Sequence, residues 1–184
     1  YLLISNIIED YRIEKEGIKL YPGMEKELKF SKAIYYYLAN TPNNIIEAYI
    51  QAMNFGAIKN KDKIDKEWIN RVIKAVKYTK RALKKGKNIF DIAYNVCNIL
   101  GIEEFERLDF SIIKLFSKTN EQKISEDELK EIIENWIKEK NEFEEQIIEK
   151  EEIVFEKQNI NSINNLNESS IKEIKENPEG ISIE

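Results

Sequence analysis

The side chains best suited to chemistry in this sequence are cations spaced along one predicted helix, over residues 65–86. The surrounding segment, residues 59–87, holds 12 basic and 3 acidic residues, for a net charge of +9. At helical spacing these side chains share one face, which is suited to following a phosphate backbone. Asn70 and Arg71, near the helix start, are placed to read base edges. The candidate nucleic-acid-binding residues are Lys66, Asn70, Arg71, Lys74, Lys77, Arg81, Lys84 and Lys85.

The same cationic face has a simpler interpretation as a solvated surface, because a charge run on a helix usually faces water. A helix-turn-helix arrangement is disfavoured, since the connection over residues 56–64 is longer than the usual three to four residues. Nucleic-acid binding through residues 65–86 is therefore the alternative hypothesis for function and not the leading one.

Catalytic chemistry is restricted by the residues that are missing. The sequence has no histidine, which excludes Ser-His-Asp and Cys-His nucleophiles within the chain and histidine-based zinc sites. The single cysteine, Cys97, lies in the apolar run IAYNVCNIL and is expected to be a small buried hydrophobe. No phosphate-binding glycine motif is present. We therefore expect a non-enzymatic protein with no catalytic residue, cofactor or metal, in the reducing cytoplasm.

A cluster of carboxylates lies after the predicted helix 88–100, at Glu103, Glu104, Glu106 and Asp109. Carboxylates alone can hold a divalent cation, so this cluster supports a third hypothesis, a metal-dependent enzyme. Three of the four residues recur every third position, which is typical of an ordinary exposed helical face. We therefore favour an ordinary solvated helical face for this cluster over a metal site.

A long acidic helix is predicted within residues 119–157. Residues 121–157 hold 14 acidic and 6 basic residues, for a net charge of −8. Ser125 and Glu128 have the spacing of a capping box, which marks the helix start. An apolar pattern close to a seven-residue repeat follows, and Lys140 and Lys150 interrupt it. The first half of this helix is predicted to dock on the domain and the second half to project.

The projecting half carries an apolar stripe that could pack against a partner helix. The predicted partner-binding residues are Phe143, Ile147, Val154 and Phe155. An equally acceptable alternative is that these residues complete the chain's own bundle. The leading hypothesis is a non-enzymatic interaction or assembly module that binds another protein or a second copy of itself. No membrane association is expected, because the apolar runs are too short for a span.

The helical spacing of the apolar residues around these candidate sites predicts a mainly α fold. A helical bundle is predicted over residues 24–118, with helices at 24–40, 42–55, 65–86 and 88–100, and one or two more within 102–118. Gly56, Gly86 and Gly101 are expected to end three of them. The polar stretch 158–184 is predicted to be a disordered tail.

Residues 1–23 are predicted to form a short β-hairpin. Alternation over Tyr11–Tyr21, a turn at Gly17 and a stop at Pro22 favour it. The sequence begins with Tyr1, so we expect a fragment or a processed product of a longer protein.

Overall fold

The computed structural model describes residues 2–102 and 124–148, and these residues are mainly helical, as predicted. The helices are α1 (Leu2–Leu20), α2 (Met24–Leu38), α3 (Ile45–Phe55), α4 (Lys66–Lys84), α5 (Ile89–Leu100) and α6 (126–148). A short 3₁₀ turn, Lys61–Lys63, lies between α3 and α4. No β-strand occurs in this part of the chain.

The predicted N-terminal hairpin is wrong, because its residues belong to α1. The buried positions Ile4 and Ile8 are one helical turn apart, so the apolar residues follow a helical period and not an alternating one. Arg12 pairs with Glu9 at 2.6 Å and with Glu16 at 2.8 Å, three residues before it and four after it, and this spacing is specific to a helix. The partial strand-like alternation near residue 17 was a weaker signal than the helical period of the apolar residues.

Side-chain caps explain most of the observed helix starts. Asp65 accepts hydrogen bonds from the backbone of Glu67 and Trp68 at the start of α4, as expected for an N-cap. The start of α3 differs from the prediction, because Asn44 caps it by accepting a hydrogen bond from the Glu47 N–H at 2.9 Å. The helix therefore begins at Ile45 and not at residue 42.

The predicted glycine ends are confirmed. Gly56 ends α3 with φ 70° and Gly101 ends α5 with φ 72°, in the left-handed region that glycine adopts without strain. Gly86, after α4, has φ 66°. The connection at Gly86 is short and keeps α4 and α5 adjacent in space, whereas the connection that begins at Gly56 is longer and contains the 3₁₀ turn.

The main core lies around α4, which packs against α3 and α5, while α1 packs on α5. Tyr49 is fully buried in this core, and its hydroxyl is 2.9 Å from that of Thr79 on α4. Thr79 in turn donates to the Ala75 carbonyl, so the buried hydroxyl groups are satisfied. The core therefore combines apolar packing with one specific polar contact between α3 and α4.

The acidic helix α6 is held to the bundle through Trp136. Its indole N–H donates to the Phe55 carbonyl oxygen at 3.0 Å. Tyr36 of α2 meets the Phe55 ring edge-to-face, with the ring centroids 5.9 Å apart.

Ser125 and Glu128 form the expected capping box at the start of α6. The Ser125 N–H donates to the Glu128 carboxylate at 2.8 Å, and the Glu128 N–H donates to Oγ of Ser125 at 3.3 Å.

Several predicted features lie outside the described residues. These are the carboxylate cluster at 103–109, nearly all of the predicted helix at 102–118, the end of the long helix beyond residue 148, and the tail at 158–184. Among the helices that the structure describes, none combines the length and the apolar character needed to cross a bilayer.

Candidate functional site

The predicted nucleic-acid-binding face is the outward face of α4. Lys66, Lys74, Lys84 and Lys85 are exposed there. Arg71 is half-buried and forms an ion pair with Glu67 one turn earlier, so its guanidinium is engaged within the helix. Of the remaining predicted residues, Asn70 and Arg81 are exposed and Lys77 is half-buried.

The acidic helix α6 lies on another side of α4. Its anchoring contacts are to α2 and α3, and Glu139 accepts a hydrogen bond from the Tyr36 hydroxyl. In the part of the chain that the structure describes, no ion pair joins α6 to the four exposed lysines of α4. The described carboxylates of α6 therefore do not neutralise that surface.

The first two residues of the predicted partner-binding stripe lie in the chain's own core. Phe143 is only 1% exposed and Ile147 is also buried, in a cluster with residues of α1, α3, α4 and α5. Phe143 and Ile147 therefore help to complete the chain's own bundle, which was one of the two interpretations left open for them. Val154 and Phe155 lie outside the described residues.

A different apolar surface lies between α2 and α6, and sequence reasoning missed it. Phe30 on α2 is 43% exposed and Ile137 on α6 is 42% exposed, and both line one groove of about 420 Å³. We call this the apolar groove; its lining residues are Pro22, Glu25, Lys26, Lys29, Phe30, Ile133, Trp136 and Ile137. The available signal was Phe30, a large aromatic residue that lies outside the apolar stripe of its own helix.

A second cavity gathers cations instead of apolar groups. We call it the lysine cleft; it has a volume of about 120 Å³ and contains five lysines, Lys15, Lys29, Lys32, Lys80 and Lys140. Glu25 and Glu144 are the acidic residues along it. Four helices, α1, α2, α4 and α6, supply these side chains, so the cleft exists only in the assembled bundle.

Lys80 did not belong to the predicted cationic face, and its spacing explains why. It follows Val76 by four residues and Ile73 by seven, and both of those residues are buried. Lys80 therefore occupies a core-facing position of α4. Burial lowers the pKa of its ammonium; Glu144 opposes this shift, and Lys15 and Lys140 add to it by repulsion. A lysine at an apolar position was the signal in the sequence.

The remaining candidates for chemistry have structural explanations. Cys97 is buried, and burial raises the pKa of its thiol, which disfavours the thiolate that a nucleophile needs. The pKa of Tyr36 is raised by burial and by its hydrogen bond to Glu139. In the described residues, no group of three or more acidic or thiol side chains is arranged to hold a metal ion.

Comparison with known proteins gives no family assignment. No protein-family model, no curated protein and no solved structure matches this chain.

Proposed function

We propose that this chain is a non-enzymatic interaction module that binds an amphipathic helix of a partner protein in the apolar groove between α2 and α6. The observation that carries the proposal is the exposure of Phe30 and Ile137 on the two helices that form the groove. Large apolar side chains that share a groove between two helices are typical of helix-in-groove recognition.

The size and floor of the groove suit a helical ligand. A groove of about 420 Å³ falls in the range of sites that enclose several side chains. Trp136 is buried at its base and fixed by the hydrogen bond to Phe55, so the floor is rigid. Less conformational freedom is then lost on binding than with a mobile floor, which favours affinity.

The charges beside the groove indicate which helix would fit. Glu25, Lys26 and Lys29 line the α2 side, for a net charge of +1, and Lys29 pairs with Glu25 at 2.9 Å, which leaves the charge of Lys26 to face a ligand. A partner helix that places apolar residues on Phe30 and Ile137 and acidic residues toward α2 complements this surface. We therefore commit to an amphipathic helix with an acidic edge as the occupant.

The test is the loss of a partner when the groove is made polar. Phe30→Asp and Ile137→Asp should each weaken binding of a captured partner, and of its isolated helical peptide, by at least about tenfold, because a charge would be buried against apolar groups. Affinity capture with the full chain, followed by calorimetry with the peptide, measures this change.

Phe90→Asp is the matched control. Phe90 lies on α5, is 66% exposed and does not line the groove. A partner that binds Phe30→Asp as tightly as the native chain, or that is lost equally with Phe90→Asp, would contradict the proposal. Self-association that depends on Phe30 would also contradict it, because the occupant would then be a second copy.

Nucleic-acid binding through α4 is a second candidate, favoured by the four exposed lysines that α6 does not pair with. Four phosphate contacts would give log affinity a slope of about −4 against log salt. Alanine at Lys66, Lys74, Lys84 and Lys85 together should flatten that slope in a fluorescence-anisotropy titration. Absence of a shift of labelled DNA or RNA by the native chain at low salt would eliminate this candidate.

A further inference from the structure

Two lysines of the lysine cleft, Lys80 and Lys140, interrupt the apolar faces of their helices. Lys140 follows Trp136 by four residues and precedes Phe143 by three, and both of those neighbours are buried. Lys15 follows the buried Ile8 by seven residues. Lys80 and Lys140 are thus partly buried at core-facing positions of α4 and α6, and Lys15, which is exposed on α1, lines the same cavity.

These three lysines lack the ion pairs that neutralise the other two. Lys32 pairs with Glu14, and Lys29 pairs with Glu25. In the described part of the chain, Lys15, Lys80 and Lys140 form no salt bridge. Placing like charges beside one cavity is unfavourable unless an anion offsets their repulsion.

Aromatic rings hold two of the three cations in place. The Lys15 ammonium lies 5.6 Å from the ring centroid of Tyr11, and the Lys140 ammonium lies 5.6 Å from that of Trp136. Cation–π contacts orient an ammonium without neutralising its charge. The cleft is therefore organised before any ligand arrives.

The charge and size of the cleft identify the class of ligand. The three lysines and Glu144 together carry a net charge of +2, which a dianion neutralises. The volume of about 120 Å³ corresponds to about four waters at liquid density, enough for a phosphate group. Lysine ammonium groups commonly bind phosphate as point charges.

We propose that the lysine cleft is a binding site for a small phosphate-bearing molecule, held by the ammonium groups of Lys15, Lys80 and Lys140. The apolar residues of the cleft, which include Met53 and Ile18, would contact the organic part of the ligand. A cavity of about 120 Å³ between four helices admits a small molecule and not a nucleic-acid backbone, and it is distinct from the exposed face of α4.

Calorimetric titration of the full chain with inorganic phosphate and with phenyl phosphate, at constant ionic strength, tests the proposal. We expect saturable binding with one site, tighter for phenyl phosphate because its ring can contact the apolar wall. Lys80→Met should weaken binding by about tenfold or more, as expected for loss of a hydrogen bond to a charged group. Lys140→Met should have an effect of similar size.

Lys74→Met is the matched control, because it removes the same charge from the exposed face of the same helix. It should change the affinity by less than about twofold, since exposed charges are screened. Circular dichroism establishes that each variant is folded. Absence of saturable phosphate binding by the native chain would overturn the proposal, as would equal weakening by Lys74→Met and Lys80→Met. Citrate that binds more tightly than phenyl phosphate would overturn the assignment to phosphate.

Discussion

Replacement of Phe143 by alanine tests whether α6 belongs to the core. Phe143 is 1% exposed, so its truncation removes a fully buried ring and should cost about 3–5 kcal/mol of unfolding free energy. With a urea dependence of about 2 kcal/mol per molar, the unfolding midpoint should fall by roughly 2 M. Urea denaturation of the full chain, followed by circular dichroism, measures this shift.

Phe30→Ala is the matched control, since it makes the same chemical change at a side chain that is 43% exposed. Because much of that ring already contacts water, the loss should stay below about 1.5 kcal/mol. Should Phe143→Ala prove too unstable to fold, Phe143→Leu, with an expected cost of about 1 kcal/mol, can be compared with Phe30→Leu. A cost for Phe143→Ala no larger than that for Phe30→Ala would refute the placement of Phe143 in the core.

Three further changes test other contacts. Thr79→Val leaves the buried Tyr49 hydroxyl without its partner and should cost about 1–3 kcal/mol in chemical denaturation, part of which Tyr49→Phe in the same chain should recover. Ser125→Ala removes the serine that pairs with Glu128 and should lower the unfolding free energy by about 0.5–2 kcal/mol in urea titrations. Burial lowers the pKa of Lys80 below its ordinary value of 10.5, so unfolding takes up a proton between the two values, and the free energy of unfolding should rise with pH across that interval. Lys80→Met should lack this part of the rise in denaturation experiments at several alkaline pH values.

The helical class and several helix ends were predictable because they depend on local interactions. Ser125 was identified as an N-cap from residue type and spacing and makes the expected backbone hydrogen bond, and Asp65 caps the helix predicted to begin at residue 65. Gly56, Gly86 and Gly101 were recognised as helix ends because a glycine backbone takes the left-handed conformation at low cost. The hairpin failed because its signal was a partial alternation, whereas Arg12 has acidic partners at helical spacing on both sides.

The candidate sites were less predictable, since they depend on which helices meet. The apolar stripe of α6 was identifiable from its spacing in the sequence. Whether Phe143 faced a partner or the chain's own core depended on contacts with residues distant in sequence. The apolar groove likewise requires Phe30 and Ile137, which are more than one hundred residues apart, to line the same cavity. Periodicity defines the faces of single helices and does not specify the pairing of those faces.

The lysine cleft illustrates the same limit, and two of its cations occupy positions that are costly for stability. In the sequence, Lys140 is an interruption of an apolar repeat, and Lys80 is a cation at an apolar position within a basic segment. Each occupies a position where an apolar residue would pack at lower cost, because a partly buried ammonium must give up hydration. Lys80→Met should therefore raise the melting temperature while it weakens phosphate binding, a combination typical of residues kept for a site and not for stability. A purely structural role for Lys80 requires the opposite result, a lower melting temperature, so the sign of that change separates the two explanations.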